Sequence, residues 1–351
     1  MKRSKKNWFI PVSAATAMLC STVTALALEA LPERPPIPKD NPMTPEKVEL
    51  GKQLFFDPRL SVDGTVSCNS CHNVMSSGTD NRPVSVGVRG QTGGRSAPTV
   101  WNSAFLTAQF WDGRAPTLEE QAKGPVLNPI EMGMHSKDVA VERIASIPGY
   151  QAQFAKVFGG DKPVTYDNIA KAIATYERTL ITPNSPFDRY VKGEKTALST
   201  NAQRGMELVK NLGCTSCHTG ANFAGPTSLP MGEGFFQKFP VFPGSKYDAK
   251  YKLVEDTGRH EVTKKEEDKN LWRVPTWRNV ALTAPYFHNG AVPTLDEAVR
   301  VMAKTQLDKE LNDQDVNDIV AFLNSLTGEF PKQTLPRLPD IAGASIIESV
   351  K

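Results

Sequence analysis

Apolar residues recur along this chain at helical rather than alternating spacing. After Thr44-Pro45, the residues Val48, Gly51, Leu54 and Phe55 fall on one face. Ile169, Ile173, Tyr176 and Leu180 form a second stripe, and Val316, Ile319, Val320, Leu323 and Leu326 a third. Recurrence at three and four residues puts such side chains on one side of a helix, whose stability comes mainly from burying that side. Two more helix starts are marked by Pro116-Thr-Leu-Glu-Glu120 and Pro293-Thr-Leu-Asp-Glu297. In each, Thr117 or Thr294 is the expected N-cap and Glu120 or Glu297 the partner that closes a capping box. In the second, Leu295, Val299 and Met302 share a face. Alternating patterns are scarce, and a short strand near Val84 to Val88 is the one expected. The pattern predicts a mainly α protein with long loops and little β structure.

The chain also repeats itself. Ala97 to Glu120 matches Val274 to Glu297, with small gaps expected before the shared Leu-Thr-Ala and around His288. A repeat of this kind implies two modules in tandem. The expected division is an extended segment 28–43, modules 44–182 and 183–330 with their joint in Thr182-Pro-Asn-Ser-Pro186, and a Pro-rich extended tail 331–351.

Length agrees, since 351 residues suffice for two domains of ordinary size. With 23% charged and 39% apolar residues, the chain is neither disordered nor membrane-embedded. The net charge of +3 is concentrated at the start, in Lys2, Arg3, Lys5 and Lys6, with no acid before Glu29. Without those four cations the balance is 37 basic against 38 acidic residues, and nothing in it suggests a nucleic-acid surface. Residues 1–27 read as an export signal: a cationic start, an apolar run from Trp8 to about Leu26, and Ala25-Leu26-Ala27 as the cleavage site. An uncleaved anchor is the alternative reading of the same run. Either way the remainder is exported, and the expected location is the periplasm.

Five cysteines change the picture most. Cys20 lies in the leader, and the other four stand in Cys68-Asn-Ser-Cys71-His72 and Cys214-Thr-Ser-Cys217-His218. C-x-x-C-H is the attachment signature of haem c: both thiols form thioethers with one macrocycle, and the adjacent imidazole ligates its iron. A zinc site built from the four thiolates would leave both histidines unexplained. The expected cofactors are two covalently bound haem groups, with His72 and His218 on the irons.

Together with Leu54-Phe-Phe-Asp-Pro-Arg-Leu60, Gln109-Phe-Trp-Asp-Gly-Arg114, Glu120-Gln-Ala-Lys-Gly-Pro125 and Arg278 to Gly290, these motifs resemble the bacterial di-haem cytochrome c peroxidases from about Thr44 to Gly328. The resemblance implies two cytochrome c-like domains and reduction of hydrogen peroxide at the first haem. The second haem, ligated by His218 and Met302, would receive electrons from a small c-type cytochrome or cupredoxin. It further implies that Trp111 lies between the haems, that Gln121 and Glu131 sit over the first, and that the protein is a homodimer. Glu131 suits a proton shuttle between the two peroxide oxygens, and Gln121 a hydrogen bond that steadies them. A neutral thioether raises a haem potential, as befits an electron store.

Two positions depart from the family pattern. Where many members carry a histidine that caps the peroxidatic iron, this chain has Val88, which cannot bind iron; the expectation is an uncapped first haem. The family's calcium ion implies ligands from Thr283 and Pro285 and a side chain at Ser96, a hydroxyl being a weaker ligand for a hard cation than an amide carbonyl. Two other functional classes fit less well. A MauG-type relative that oxidises another protein would have tyrosine on the second iron, where this helix carries Met302. A pure electron-transfer or gas-sensing protein would not need Glu131 and Gln121.

Overall fold

The computed structural model describes residues 28–341, 343 and 345–347. The leader read at residues 1–27 lies outside them, and among the described residues no helix is long and apolar enough to cross a membrane. The first half contains α1 (Pro45–Phe56), α2 (Cys68–Cys71), α3 (Leu118–Leu127), α4 (Lys137–Ala145), α5 (Pro148–Phe158) and α6 (Tyr166–Glu177). The second contains α7 (Pro186–Val191), α8 (Thr200–Asn211), α9 (Lys246–Tyr251), α10 (His260–Thr263), α11 (Leu295–Leu307) and α12 (Asp313–Asn324). Two three-residue strands, β1 (Phe236–Lys238) and β2 (Leu271–Arg273), pair antiparallel in the second half.

Most of each predicted stripe is buried on a helix, although Val48 and Val320 are only half-buried and the buried Leu180 and Leu326 lie just beyond the ends of α6 and α12. α1 buries Leu50, Gly51, Leu54 and Phe55 against α6, which buries Ile169, Ile173 and Tyr176; α12 buries Val316, Ile319 and Leu323 against α8. Each such side chain removed from water contributes roughly 1.5–3 kcal/mol. Glycine lets both helix pairs approach closely: a Cβ on Gly51 would stand 1.8 Å from the Ala172 carbonyl oxygen, and one on Gly205 1.9 Å from that of Asp318. The main cores are separate. One cluster runs from Leu50 to Leu180, a second from Phe187 to Leu326, and a third gathers Trp272, Tyr286, Val292 and Val301.

The repeat is gapless, contrary to the expectation from sequence. Asn102 and Asn279 are both left-handed (φ 63° and 60°), as are Phe110 and Phe287 (68° and 71°) and Gly113 and Gly290 (65° and 59°), at a constant offset of 177 residues. The bridge Gln109↔Ala115 recurs as Tyr286↔Val292. Both asparagine side chains donate to the same hydroxyl, Thr182 Oγ1, at 2.8 and 2.9 Å. What persists between the copies is backbone conformation, which side-chain identity obscures wherever the residues have diverged.

Other expectations are corrected. The segment near Val84 to Val88 forms no strand; it makes a single bridge, Val86↔Thr92, and then a tight turn at Val88–Gly90. Thr117 caps α3 by accepting from Glu120 N, but Thr294 makes no such bond at α11. There the Glu297 carboxylate accepts from Tyr251 Oη (2.6 Å) and Lys250 Nζ (3.0 Å) instead of closing a box.

The two ends of the described chain cross over. Residues 29–31 lie on the second half, where Leu31 N donates to Asp188 Oδ1 (2.9 Å) and Arg278 Nη2 to the Glu29 carbonyl (3.1 Å), before the segment returns to the first half at Asn41, which donates to Glu119 (2.7 Å). The extended tail returns to the first half: Phe330 stacks edge-on against Trp101, Tyr176 Oη donates to Gln333 and Arg59 Nη1 to the Pro339 carbonyl.

Candidate active site

The C-x-x-C-H motif of the first half starts at α2, whose N-cap Ser67 and third residue Ser70 form a capping box, so that Cys68, Cys71 and His72 leave one short turn together. His72 Nδ1 donates to the Pro98 carbonyl (2.9 Å), and His218 Nδ1 to that of Phe223 (3.1 Å). A carbonyl only accepts, so each ring carries its proton on Nδ1 and presents Nε2 as a free ligand. Burial holds both imidazoles below their usual pKa, His218 down to about 4, which keeps them in the neutral, metal-binding form. The four thiols are unpaired. Among the described residues no group of three or more His, Cys, Asp or Glu could hold a metal ion, so the thiols are not gathered into a zinc site. Paired thiols followed by an Nε2-presenting histidine fit a covalently attached haem in each half.

Beside His72 opens a cleft of about 170 Å³, and it brings together most of the residues expected from sequence at the first haem site. Cys71, His72, Trp111, Gln121 and Glu131 all line it. Gln121 projects from α3, and Glu131 from the turn that follows. Asn128 Nδ2 donates to Glu131 Oε1 (2.7 Å), while burial raises that carboxyl group's pKa against the opposing pull of Arg114. A buried carboxyl group whose pKa is raised by burial holds and releases a proton more evenly than an exposed carboxylate, as a shuttle between two oxygens requires. Trp111 lines the cleft on one side and packs against the third core cluster, in the second half, on the other. Its Nε1 donates to the Ser96 carbonyl (2.9 Å), and Ser96 N donates to the His288 carbonyl (2.7 Å), tying the halves together.

Val88 does not face the cleft. Its side chain is fully buried in the first core, near Val62 and Gly133, and its N–H donates to the Glu131 carbonyl (2.8 Å). The turn that could have carried a capping ligand therefore buttresses the Glu131 loop. Met134 is buried in the same core and Met75 is exposed; neither lines the cleft.

The second site has a different character. His218 is buried and stacks on Trp277 with ring centroids 4.3 Å apart, and Trp277 stacks on Phe223. Met302, half-buried on α11, packs against the third cluster, and Leu295 and Val280 pack against both that cluster and the one beside His218. The gapless register adds a correspondence that the sequence reading missed. Pro125 and Met302 are each the eighth residue of their helix, and Pro125 lines the open cleft.

At the expected calcium position, Ser96 Oγ is turned onto the Arg82 carbonyl (3.4 Å) and Thr283 Oγ1 onto that of Val280 (3.1 Å). A hydroxyl that donates keeps its lone pairs, so Ser96 Oγ and the backbone carbonyls of Thr283 and Pro285 are the oxygens a calcium ion would use. Three charged cleft residues were not anticipated: Arg95, Arg114 and Glu177. Arg95 binds Asp112 in its own half and Asp256 in the other (2.6 Å). Glu177 was detectable, since it lies four residues after Ile173 on the buried stripe.

Comparison with known proteins agrees with this geometry. The family model for "Di-haem cytochrome c peroxidase" matches residues 45–196, and one for "RoxA-like, cytochrome c-like" matches 275–306. The chain is 47% identical over 304 residues to cytochrome c551 peroxidase of Nitrosomonas europaea, covering 87% of this chain and 86% of that protein. It is 36% identical to the methylamine utilization protein MauG of Methylorubrum extorquens, covering 88% and 86%. Among solved structures, a MauG-like protein associated with microbial copper homeostasis superposes with a TM-score of 0.75 at 31% identity, over 85% of this chain and 95% of that one.

Proposed function

The chain belongs to the di-haem cytochrome c peroxidase family, and from that premise we propose that it reduces hydrogen peroxide to water in the periplasm, with electrons from a small c-type cytochrome or cupredoxin. The observation that supports this most directly is the cleft in which Glu131 and Gln121 converge beside His72. The chain carries two covalently bound haem c groups; Cys68, Cys71 and His72 would hold one, and Cys214, Cys217 and His218 the other, with Met302 able to supply a thioether to the latter. Haem supplies a redox-active iron to each half and, in the first, a coordination position for peroxide.

The protein's own groups do the rest. Gln121 hydrogen-bonds the bound peroxide and fixes its orientation. Glu131, held through Oε1 by Asn128, takes a proton from one peroxide oxygen and returns it to the departing one. Trp111 spans the space between the cleft and the second half's core and offers a polarizable route for electrons. With Val88 in the core and Pro125 beside the cleft, no side chain from either position caps the first iron, and the site needs no reductive opening. Division into functional units follows the cores, 44–182 for peroxide chemistry and 183–330 for electron supply. Calcium bound through Ser96 Oγ and the carbonyls of Thr283 and Pro285 with waters would brace the junction. Unchanged haem spectra and activity after chelation would remove it from the account.

The test is steady-state peroxide turnover with reduced cytochrome c. The wild type should turn over, and Glu131→Gln should lose ~10²–10⁴ in kcat with both haems attached. No turnover in the wild type rejects the peroxidase reading, and an unimpaired Glu131→Gln rejects the role given to Glu131.

A further inference from the structure

One cleft residue has no part in the chemistry above. Glu177, the last residue of α6, lines the same cleft as Gln121 and Glu131, is only 5% exposed, and has no hydrogen-bond partner at Oε2. Its neighbour Arg178 is committed elsewhere, with both terminal nitrogens on Glu119 (2.7 and 3.0 Å), whose Oε1 also accepts from Asn41. An ionised carboxylate buried without a donor is costly, and protonation removes that cost. We propose that Glu177 is the proton-holding residue of the peroxide cleft, delivering to it the protons that peroxide reduction consumes.

The proposal rests on the peroxidase reading and answers its proton balance. Reduction takes one peroxide, two electrons and two protons to two waters. Glu131 moves a proton from one oxygen to the other and supplies none in net. The electrons come from two equivalents of reduced donor, which are oxidised. In each proton delivery the O–H bond of Glu177 breaks, a new O–H bond forms on an oxygen leaving as water, and the carboxylate regains a proton from solvent. Two rounds balance one peroxide.

The surroundings favour a carboxyl group that is protonated at neutral pH yet able to ionise. Burial and the Glu119 carboxylate on α3 push its pKa up to about 8, and Arg178, the residue that follows it, opposes them. Tyr176 is the neighbouring titratable group that senses it, Cys68 of α2 ceases to titrate once its thiol is a thioether, and Glu131 and Arg114 share the cleft.

The test compares wild-type holoenzyme with Glu177→Gln, which preserves shape, and Glu177→Asp, which preserves the acid. Glu177→Gln should lower kcat at least tenfold and lose the alkaline limb of its pH profile. The second-order reaction with peroxide, followed by stopped flow, should stay within twofold, and Glu177→Asp should recover part of kcat. The infrared carbonyl band of a protonated buried carboxyl group should be present in the wild type and missing from Glu177→Gln. An unchanged kcat and pH profile, a parallel loss in both rates, or absence of that band overturns the proposal. A wild type without turnover rejects the peroxidase reading itself and this proposal with it; a wild type that turns over beside an unimpaired Glu177→Gln rejects this proposal alone.

Discussion

The two halves share one backbone plan and differ at a few corresponding positions. The left-handed asparagines, the bridge after each, and the helix launched from Thr117 or Thr294 superimpose in register, so the contrasts between the copies can be read residue by residue. Pro125 stands where Met302 stands, Trp111 where His288 stands, and Trp101 where Arg278 stands. At the first of these pairs, one copy has a thioether that could ligate an iron and the other a ring with no ligand atom. Beside that ring the cleft is open and holds Glu131, Gln121 and Glu177; the second site packs His218 against Trp277. A reacting site and an electron store thus differ by what one helix position can coordinate and by the acids placed opposite it.

That contrast can be broken at its centre. Pro125→Met should give the first half the second half's ligand and convert its iron to a capped form. Peroxide turnover should fall by about tenfold if capping is favoured by ~1.4 kcal/mol, because only the uncapped fraction reacts. Full activity in this variant would show that the correspondence of Pro125 with Met302 has no chemical meaning.

The next contrast is in how each half fills the same buried position. Trp101 is fully buried in an apolar core, whereas Arg278 is fully buried in an ion pair with Asp188 (2.7 Å), supported by the Ala221 carbonyl. Removing one partner of a buried pair leaves an uncompensated charge. Asp188→Ala should therefore cost ~3–5 kcal/mol, read by denaturant unfolding of the second half. A cost below ~1 kcal/mol would show that the pair is solvated in solution.

The smallest effect concerns the caps. Thr117 accepts from Glu120 N and Thr294 makes no cap bond, so Thr117→Ala should cost ~1 kcal/mol and Thr294→Ala close to nothing. Equal losses would restore the symmetry of the two helix starts that the sequence suggests.

Much of this was legible in the sequence for identifiable reasons. Covalent haem attachment requires contiguous residues, so Cys68 to His72 and Cys214 to His218 announce themselves. The stripes on α1, α6 and α12 follow helical spacing, and most of their apolar residues are buried, with Val48 and Val320 half-buried at the margins. The register of the repeat was hidden because Trp111 and His288, or Leu106 and Thr283, share a backbone position but no chemistry. β1 and β2 are three residues each, too short to show alternation, and their pairing joins distant parts of the chain. The crossed ends depend on long-range contacts such as Leu31 with Asp188, which no local pattern encodes. Glu177 went unnoticed because an acid on an apolar stripe reads as an interruption until the cleft beneath it is seen.

The central claim is that one scaffold carries an open iron in its first half and a capped one in its second. Electron paramagnetic resonance of the fully oxidised protein at neutral pH tests it most directly. The account predicts one high-spin signal from the haem on His72 and one low-spin signal from the haem on His218 and Met302. Two low-spin, six-coordinate signals would contradict it.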